Sequence, residues 1–471
     1  PKYPSPGGSM NDIALIGLAV MGQNLVLNMA RNGLAVTVYN RTRERTEAFL
    51  GGPAKGQSIT PAWDVLSCVA ALSRPRKIIL MVKAGTAVDQ LLDELLPVLE
   101  PGDIVVDGGN SHFEDTVRRT RRLRETGVFF AGMGVSGGEE GALLGPSLMP
   151  GGPLPAWEQM RHILEKIAAR SADGDPCADY MGADGAGHFV KMVHNGIEYA
   201  VMQLIAETWD LLRRGLNLSP GQTADCFADW NKGAASSYLL EITANILRTK
   251  DLSGDGFMVD AILDTAQGKG TGLWTSQSAL NLGVPVPAIT AAVEARMLSM
   301  RREERQRYAP LLPAADVSLD IPAPETLGKA LFLATRLAYL QGFSLLMAAE
   351  RTWNWGLDPA RIARVWRAGC IIRAAFLDDL VRTFAPEAPL SFIASAPEDL
   401  ADAQLALRRV TTLAAAAGIP APGLGASLAY YDAFRSARLP ASLVQAQRDY
   451  FGAHGFERPD RPGVFHGPWK G

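Results

Sequence analysis

Ile13–Gly22 reads IALIGLAVMG, a short apolar run that breaks into Gly17-Leu18-Ala19-Val20-Met21-Gly22. The apolar run has the length and composition of a buried strand. A helical stretch follows over Gln23–Asn32, and a second apolar run over Ala35–Tyr39. Strand, G-x-A-x-x-G turn, helix and strand in that order make the βαβ unit that binds dinucleotides. Each small residue has a task in it. Gly17 allows the tight turn, Ala19 lets the backbone approach a pyrophosphate, and Gly22 lets helix and strand pack closely. Met21 completes the turn, and the helix N-terminus offers unpaired N–H groups to phosphate.

The residues after the second run are Asn40-Arg41-Thr42. An Asp or Glu there would hold ribose hydroxyls, and it would repel a 2′-phosphate. Arg41 can fork onto that phosphate and stack on adenine, which favours NADP. The plainer alternative is an arginine that is merely exposed. Further on, Met81-Val82-Lys83-Ala84-Gly85 ends another apolar run, where a parallel sheet presents its C-terminal edge to a cofactor.

Outward from this unit the first third keeps alternating. Lys77–Val82, Asp103–Asp107 and Val128–Ala131 read as strands, with helical stretches between. That pattern is a mostly parallel sheet covered on both faces, a Rossmann-type α/β domain over 10–186. From 187 to 439 long helical patterns dominate, so the second domain reads as all-α. Ser219-Pro220 looks like an N-cap with proline at the first helical position, and Gly215 and Gly356 are candidate helix stops. A helix, Gly215-Leu216 and Trp230-Asn-Lys-Gly233 is echoed by a helix, Gly356-Leu357 and Trp366-Arg-Ala-Gly369, which suggests a helical repeat. Residues 440–471 are polar and rich in Gly and Pro, and read as a tail laid over another surface. Residues 1–9 (PKYPSPGGS) read as an appended remnant before Met10 and not as a signal peptide.

Composition narrows the classes. The chain has 471 residues, 47% of them hydrophobic and 20% charged, so it can bury large cores without disulfides. A net charge of −3 gives no bulk attraction to nucleic acid or anionic membrane. Cys68, Cys177, Cys226 and Cys370 are far apart, which points to a reducing cytoplasm and no metal site. No continuous apolar run approaches the roughly 18–20 residues of a transmembrane helix.

Three stretches could carry chemistry. Asp107-Gly-Gly-Asn110-Ser-His112 and Gly134-Val-Ser136-Gly137-Gly138 both follow strands, and such glycine turns bring backbone N–H groups to anions. The third is His188-Phe-Val-Lys191-Met-Val-His194-Asn195-Gly-Ile-Glu198-Tyr199. On a helix Lys191, His194, Asn195 and Glu198 form one stripe, flanked by apolar Phe189, Val190, Val193 and Ile197. A polar stripe on a packed helix either lines a cleft or is satisfied in place.

Gly134–Gly152 (GVSGGEEGALLGPSLMPGG) with Lys191–Tyr199 resembles the long form of the 6-phosphogluconate dehydrogenases. So do Gln267-Gly-Lys269-Gly-Thr271-Gly272-Leu-Trp274, Trp366–Arg373 and Gln445–His454. The matches run in order from Met10 onward. The resemblance implies oxidative decarboxylation of 6-phosphogluconate to ribulose 5-phosphate, with NADP and without a metal, in the pentose phosphate pathway. It makes Lys191 the general base and Glu198 the acid. It gives Asn110, Ser136, Gly137, Gly138, His194 and Asn195 to the sugar-acid end, and Tyr199, Lys269, Thr271, Arg296, Arg448 and His454 to the phosphate. Asn110 would also border the cofactor. It further implies a homodimer whose tail brings Arg448 and His454 to the partner's site.

Two rival readings remain. Another β-hydroxyacid dehydrogenase would share the glycine turns and Lys191-x-x-x-Asn195, but it would need neither Glu198 nor the cations at 269, 296, 448 and 454. A catalytically silent NADP-binding protein would have no reason to keep Lys191 and Glu198.

Overall fold

The computed structural model describes residues 10–268, 270–313, 322–385, 393 and 397–469. Residues 1–9 and Lys269 therefore lie outside the described residues. The N-terminal part is a seven-stranded sheet in the order β3-β2-β1-β4-β5-β6-β7. Its strands are β1 (Ile13–Ile16), β2 (Val36–Tyr39), β3 (Ile59–Pro61), β4 (Lys77–Leu80), β5 (Ile104–Asp107), β6 (Phe129–Ser136) and β7 (Ser147–Gly151). Pairing is parallel from β3 to β6, and β7 runs antiparallel to β6. The chain reverses its direction of travel across the sheet between β1 and β4. A crevice therefore opens beyond the carboxyl ends of those strands, the usual place for a dinucleotide.

The first helix is Val20–Arg31, so it begins three residues before the sequence pattern suggests. Its N-cap, Ala19, has no side-chain hydrogen bond to give, which leaves the first-turn N–H groups uncapped. Gly17 has φ 108°, and a Cβ there would meet Met81 O at 2.4 Å. Only glycine lets the β1 turn pass this close to the end of β4.

Helices form the rest of the fold down to Arg435. Ala186–Asp210 and Pro324–Trp353 lie at its centre, with the helix Pro397–Ala416 against the latter. Pro324–Trp353 is, by length and mean hydropathy (1.4), apolar enough to cross a membrane, although its sequence never shows an unbroken apolar run. It is instead 83% buried over that window, as the central helix of the core. Ser219 caps Pro220–Trp230 through a reciprocal hydrogen bond with Gln222. A π-helical turn, Leu211–Gly215, ends the first long helix as expected at Gly215. The second stops at Trp353 with left-handed Asn354, two residues before Gly356. An asparagine side chain tolerates that conformation, so the stop needs no glycine.

The echoed segments meet. Ser237 and Ala374 form an antiparallel bridge, and each follows its own tryptophan and a positive-φ glycine, Gly233 or Gly369. The two halves of the repeat thus touch at nearly equivalent positions.

The tail is more structured than its composition suggests. It contains a helix, Ala441–Gly452, and a hairpin of β8 (Phe456–Arg458) and β9 (Arg461–Phe465). Buried Asp449 organises it, accepting from the backbone N–H groups of Gly455 and Gly467 (2.9 Å each), from Trp469 Nε1 (2.6 Å) and from His466 Nδ1 (2.6 Å). Those bonds hold the carboxyl far below its ordinary range.

Candidate active site

The site begins where the helix Ala186–Asp210 lies on the sheet. Its backbone touches the backbone of β6 and β7. A Cβ at Gly187 would sit 2.2 Å from Gly132 O and 2.5 Å from Met149 O. A Cβ at Gly134 would sit 2.4 Å from Lys191 Cβ. Glycines on both partners bring the Lys191 stem directly over β6, at the sheet's carboxyl edge.

Lys191, His194, Asn195 and Glu198 share one face, as their spacing predicts. Lys191 Nζ is 3.4 Å from His194 Nδ1, which is 3.0 Å from Asn195 Oδ1 and 3.8 Å from Glu198 Oε2. His194 Nε2 is 3.1 Å from Ser136 Oγ at the end of β6. The next residues, Gly137 (φ 123°) and Gly138 (φ 65°), have positive φ and turn the chain from β6 into the helix Gly138–Leu144. Burial lowers the Lys191 amine from its ordinary value, opposed by nearby Glu198 and Cys370. Burial also pushes the Cys370 thiol up to about 12, so it stays neutral. His194 falls well below its usual value through burial and then the Lys191 charge, and it is neutral near pH 7.

One turn further along, Asn195 Nδ2 donates to Thr271 Oγ1 (3.2 Å), and the Arg296 guanidinium lies 3.4 Å above the Tyr199 ring. The structure therefore brings Asn195, Tyr199, Thr271 and Arg296 together. It leaves Arg448 exposed, accepted by Gln445 Oε1 at 3.0 Å, and His454 exposed edge-on to Phe451. In a single chain both face solvent on the tail.

A cavity of about 400 Å³ opens at the β1/β4 switch and is walled by Gly17, Ala19, Asn40, Arg41, Thr42, Val82 and Lys83. Gly22 lies behind the turn, where a Cβ would meet Gly17 O at 2.0 Å. Met21 is half-buried there against the sheet core, and Ala84 stands just outside the cavity wall. Asn40 also fastens the turn, since its Oδ1 accepts from Leu18 N–H at 2.9 Å. Asn110, on the loop after β5, is exposed. These residues fit NADP: uncapped helix N–H groups for the pyrophosphate, a Gly17 turn that runs against Met81 with no Cβ in the way, and Arg41 and Arg45 in the cavity wall beside Asn40.

The 6-phosphogluconate dehydrogenase C-terminal domain family matches residues 187–469, and the NAD binding domain of 6-phosphogluconate dehydrogenase matches residues 12–182. The chain belongs to the 6-phosphogluconate dehydrogenases. The NADP(+)-dependent, decarboxylating 6-phosphogluconate dehydrogenase of Bacillus subtilis (strain 168) is 50% identical over 468 residues, 98% of this chain and 99% of that protein. The decarboxylating 6-phosphogluconate dehydrogenase of Escherichia coli (strain K12) is 49% identical over 470 residues, again 98% and 99% of the two chains. The 6-phosphogluconate dehydrogenase of Plasmodium falciparum is described in apo form, with its cofactor NADP+ and with its substrate 6-phosphogluconate. It superposes with a TM-score of 0.93 at 41% identity, covering 97% of this chain and 100% of that one.

Several residues around this 6-phosphogluconate dehydrogenase site escape a reading by motif. Arg45, Gln90 and Glu94 also wall the cofactor cavity. Arg45 lies in the first turn of the helix Arg43–Gly51, just after Arg41, and its nearness in sequence could have marked it. His188 Nδ1 is 2.6 Å from Thr116 Oγ1, which ties the helix Ala186–Asp210 to Phe113–Arg124. Arg119 of the latter helix is fully buried and bonded to half-buried Asp89.

Proposed function

We propose that this chain carries out NADP-dependent oxidative decarboxylation of 6-phosphogluconate, with Lys191 and Glu198 as its proton-handling groups. One observation carries the reading: a buried amine, whose affinity for a proton burial lowers, shares a helix face with a carboxyl two turns along, beside the sheet edge that holds the cofactor cavity.

NADP supplies the hydride acceptor. Neutral Lys191 takes the C3 hydroxyl proton as hydride leaves C3. The product is a β-keto acid. Lys191, now an ammonium, returns a proton to the C3 oxygen while the C1–C2 bond breaks and carbon dioxide leaves. Glu198 then protonates the carbon that becomes C1 of ribulose 5-phosphate, while Lys191, neutral again, takes the proton from the enediol oxygen so that the ketone forms. Ser136, Gly137 and Gly138 hold the carboxylate end, while Asn110, His194 and Asn195 orient hydroxyls. Tyr199, Lys269, Thr271 and Arg296 receive the phosphate, with Arg448 and His454 of the partner subunit. The 10–186, 187–439 and 440–471 division belongs to this proposal. So does the cytoplasm as compartment, supported by four free cysteines.

A homodimer is supported by the tail itself. Leu443 and Phe451 on its helix are 64% and 74% exposed, a cost that burial against a second copy would remove.

Mixing the protein with 6-phosphogluconate and NADP or NAD, while following nicotinamide absorbance and carbon dioxide together, tests the reading. One carbon dioxide per reduced nicotinamide is expected. Reduction without carbon dioxide would identify an ordinary β-hydroxyacid dehydrogenase. Two variants refine it. Arg41→Asp is expected to lower the NADP-to-NAD ratio of kcat/KM by about tenfold or more, because a carboxylate repels the 2′-phosphate. An unmoved ratio removes Arg41 from that role. Glu198→Ala is expected to slow solvent-proton entry at C1 of ribulose 5-phosphate by roughly 10²-fold. Unchanged C1 exchange, read by NMR in deuterium oxide, would reassign the acid.

A further inference from the structure

We propose that Arg119 is a positioning residue for hydride transfer, locking the loop after β4 at the cofactor cavity to the loop after β5 that presents Asn110. Its guanidinium is fully buried, yet it reaches both loops. Toward the first, Nη2 donates to Gly85 O at 2.9 Å, and Nε and Nη2 fork onto Asp89 (2.9 Å each) in the first turn of the helix Thr86–Leu95 that the loop leads into. Toward the second, Nη1 stands 3.5 Å from both Asp107 Oδ2 and Ser111 Oγ. Asp107 shapes that loop, since its carboxylate accepts from Ser111 Oγ (2.6 Å) and from Gly109 N–H (3.0 Å).

The same helix reaches the catalytic helix. Thr116, one turn before Arg119, meets His188, which lies one turn before Lys191. Cofactor edge, Asn110 loop and Lys191 are thereby referred to one rigid element. Hydride transfer needs the nicotinamide and C3 in near-attack geometry, and a displacement of about 1 Å costs roughly 10²-fold in rate. A planar fork can serve two loops at once, whereas a lysine ammonium is a single point charge.

The inference rests on the reaction proposed above, and rapid mixing that resolves the rate and amplitude of the first turnover separates the two. Enzyme is mixed with saturating NADP and 6-phosphogluconate, and nicotinamide absorbance is followed for wild type, Arg119→Lys and Asp89→Asn. Asp89 is the solvent-facing end of the lock, so its variant tests the idea if Arg119→Lys shows no cooperative thermal unfolding. Expected is a reduction rate about tenfold or more lower at undiminished amplitude for Arg119→Lys, with a smaller loss in the same direction for Asp89→Asn. A lower amplitude at the wild-type rate would mean that Arg119 only keeps the protein folded, and would overturn the proposal, as would unchanged traces. No reduction by wild type would instead reject the underlying reaction.

Discussion

Lys191→Met is expected to lower kcat by roughly 10²–10⁴-fold, for oxidation and for carbon dioxide release alike, while NADP still binds. Methionine keeps the apolar stem that passes over Gly134 but removes the nitrogen proposed to take the C3 proton. His194 does not replace it: it is neutral, but its ring nitrogens are held at Ser136 and at Asn195. Both half-reactions should fall together, because the nitrogen that takes the proton in the first returns it in the second. Substantial oxidation with lost decarboxylation would split those roles and leave Lys191 only as the later acid.

The pH dependence follows from the same burial. The lysine must be neutral to act, and the fold lowers its affinity for a proton below the ordinary 10.5. In wild type kcat/KM should therefore fall as pH drops through that lowered value, and Lys191→Met should lose this limb. The stability sign is the reverse of a salt bridge. Below about 10.5 the unfolded chain takes up a proton that the folded lysine refuses, so wild type loses stability as pH falls from there to the lowered value. Methionine has no such cost, so the Tm of the variant at neutral pH should not be lower than that of wild type.

How much of this was legible depended on whether a residue's task was local. Gly17, Ala19 and Gly22 announce themselves because a tight turn and a close helix restrict one short stretch. The Lys191–Glu198 stripe is visible because helical spacing is fixed. β3 and β7 were hidden. Both are edge strands carrying proline, Pro61 and Pro150, which reads as a break wherever a sheet must pair on both sides. Gly151 at the end of β7 looks like part of a turn, but a Cβ there would sit 2.3 Å from Gly187 N of the helix that lies on the strand. Arg119 is one of five arginines on Phe113–Arg124, a helix that reads as a solvated basic surface. What turns it inward is Asp89, thirty positions away, and no local pattern marks that. Asp449 looked like one more polar tail residue until four donors closed around it.

Mixing two inactive proteins is expected to restore activity if the tail crosses between subunits. Arg448→Ala removes a phosphate ligand, and Lys191→Met removes the base. If Arg448 served the site of its own chain, every combination of the two would remain dead. With the tail exchanged, a mixed dimer pairs one damaged site, lacking both groups, with one site that takes its lysine from the Arg448→Ala chain and its arginine from the Lys191→Met chain. Random reassortment makes about half the dimers mixed, each with one working site, so activity should recover to about a quarter of wild type. The exposed cations on the tail and the apolar stripe beside them are what a single chain would show if its tail belonged against a second copy. A mixture that reassorts, verified by mass-tagged subunits, yet stays inactive would place the phosphate ligands of each chain within that chain.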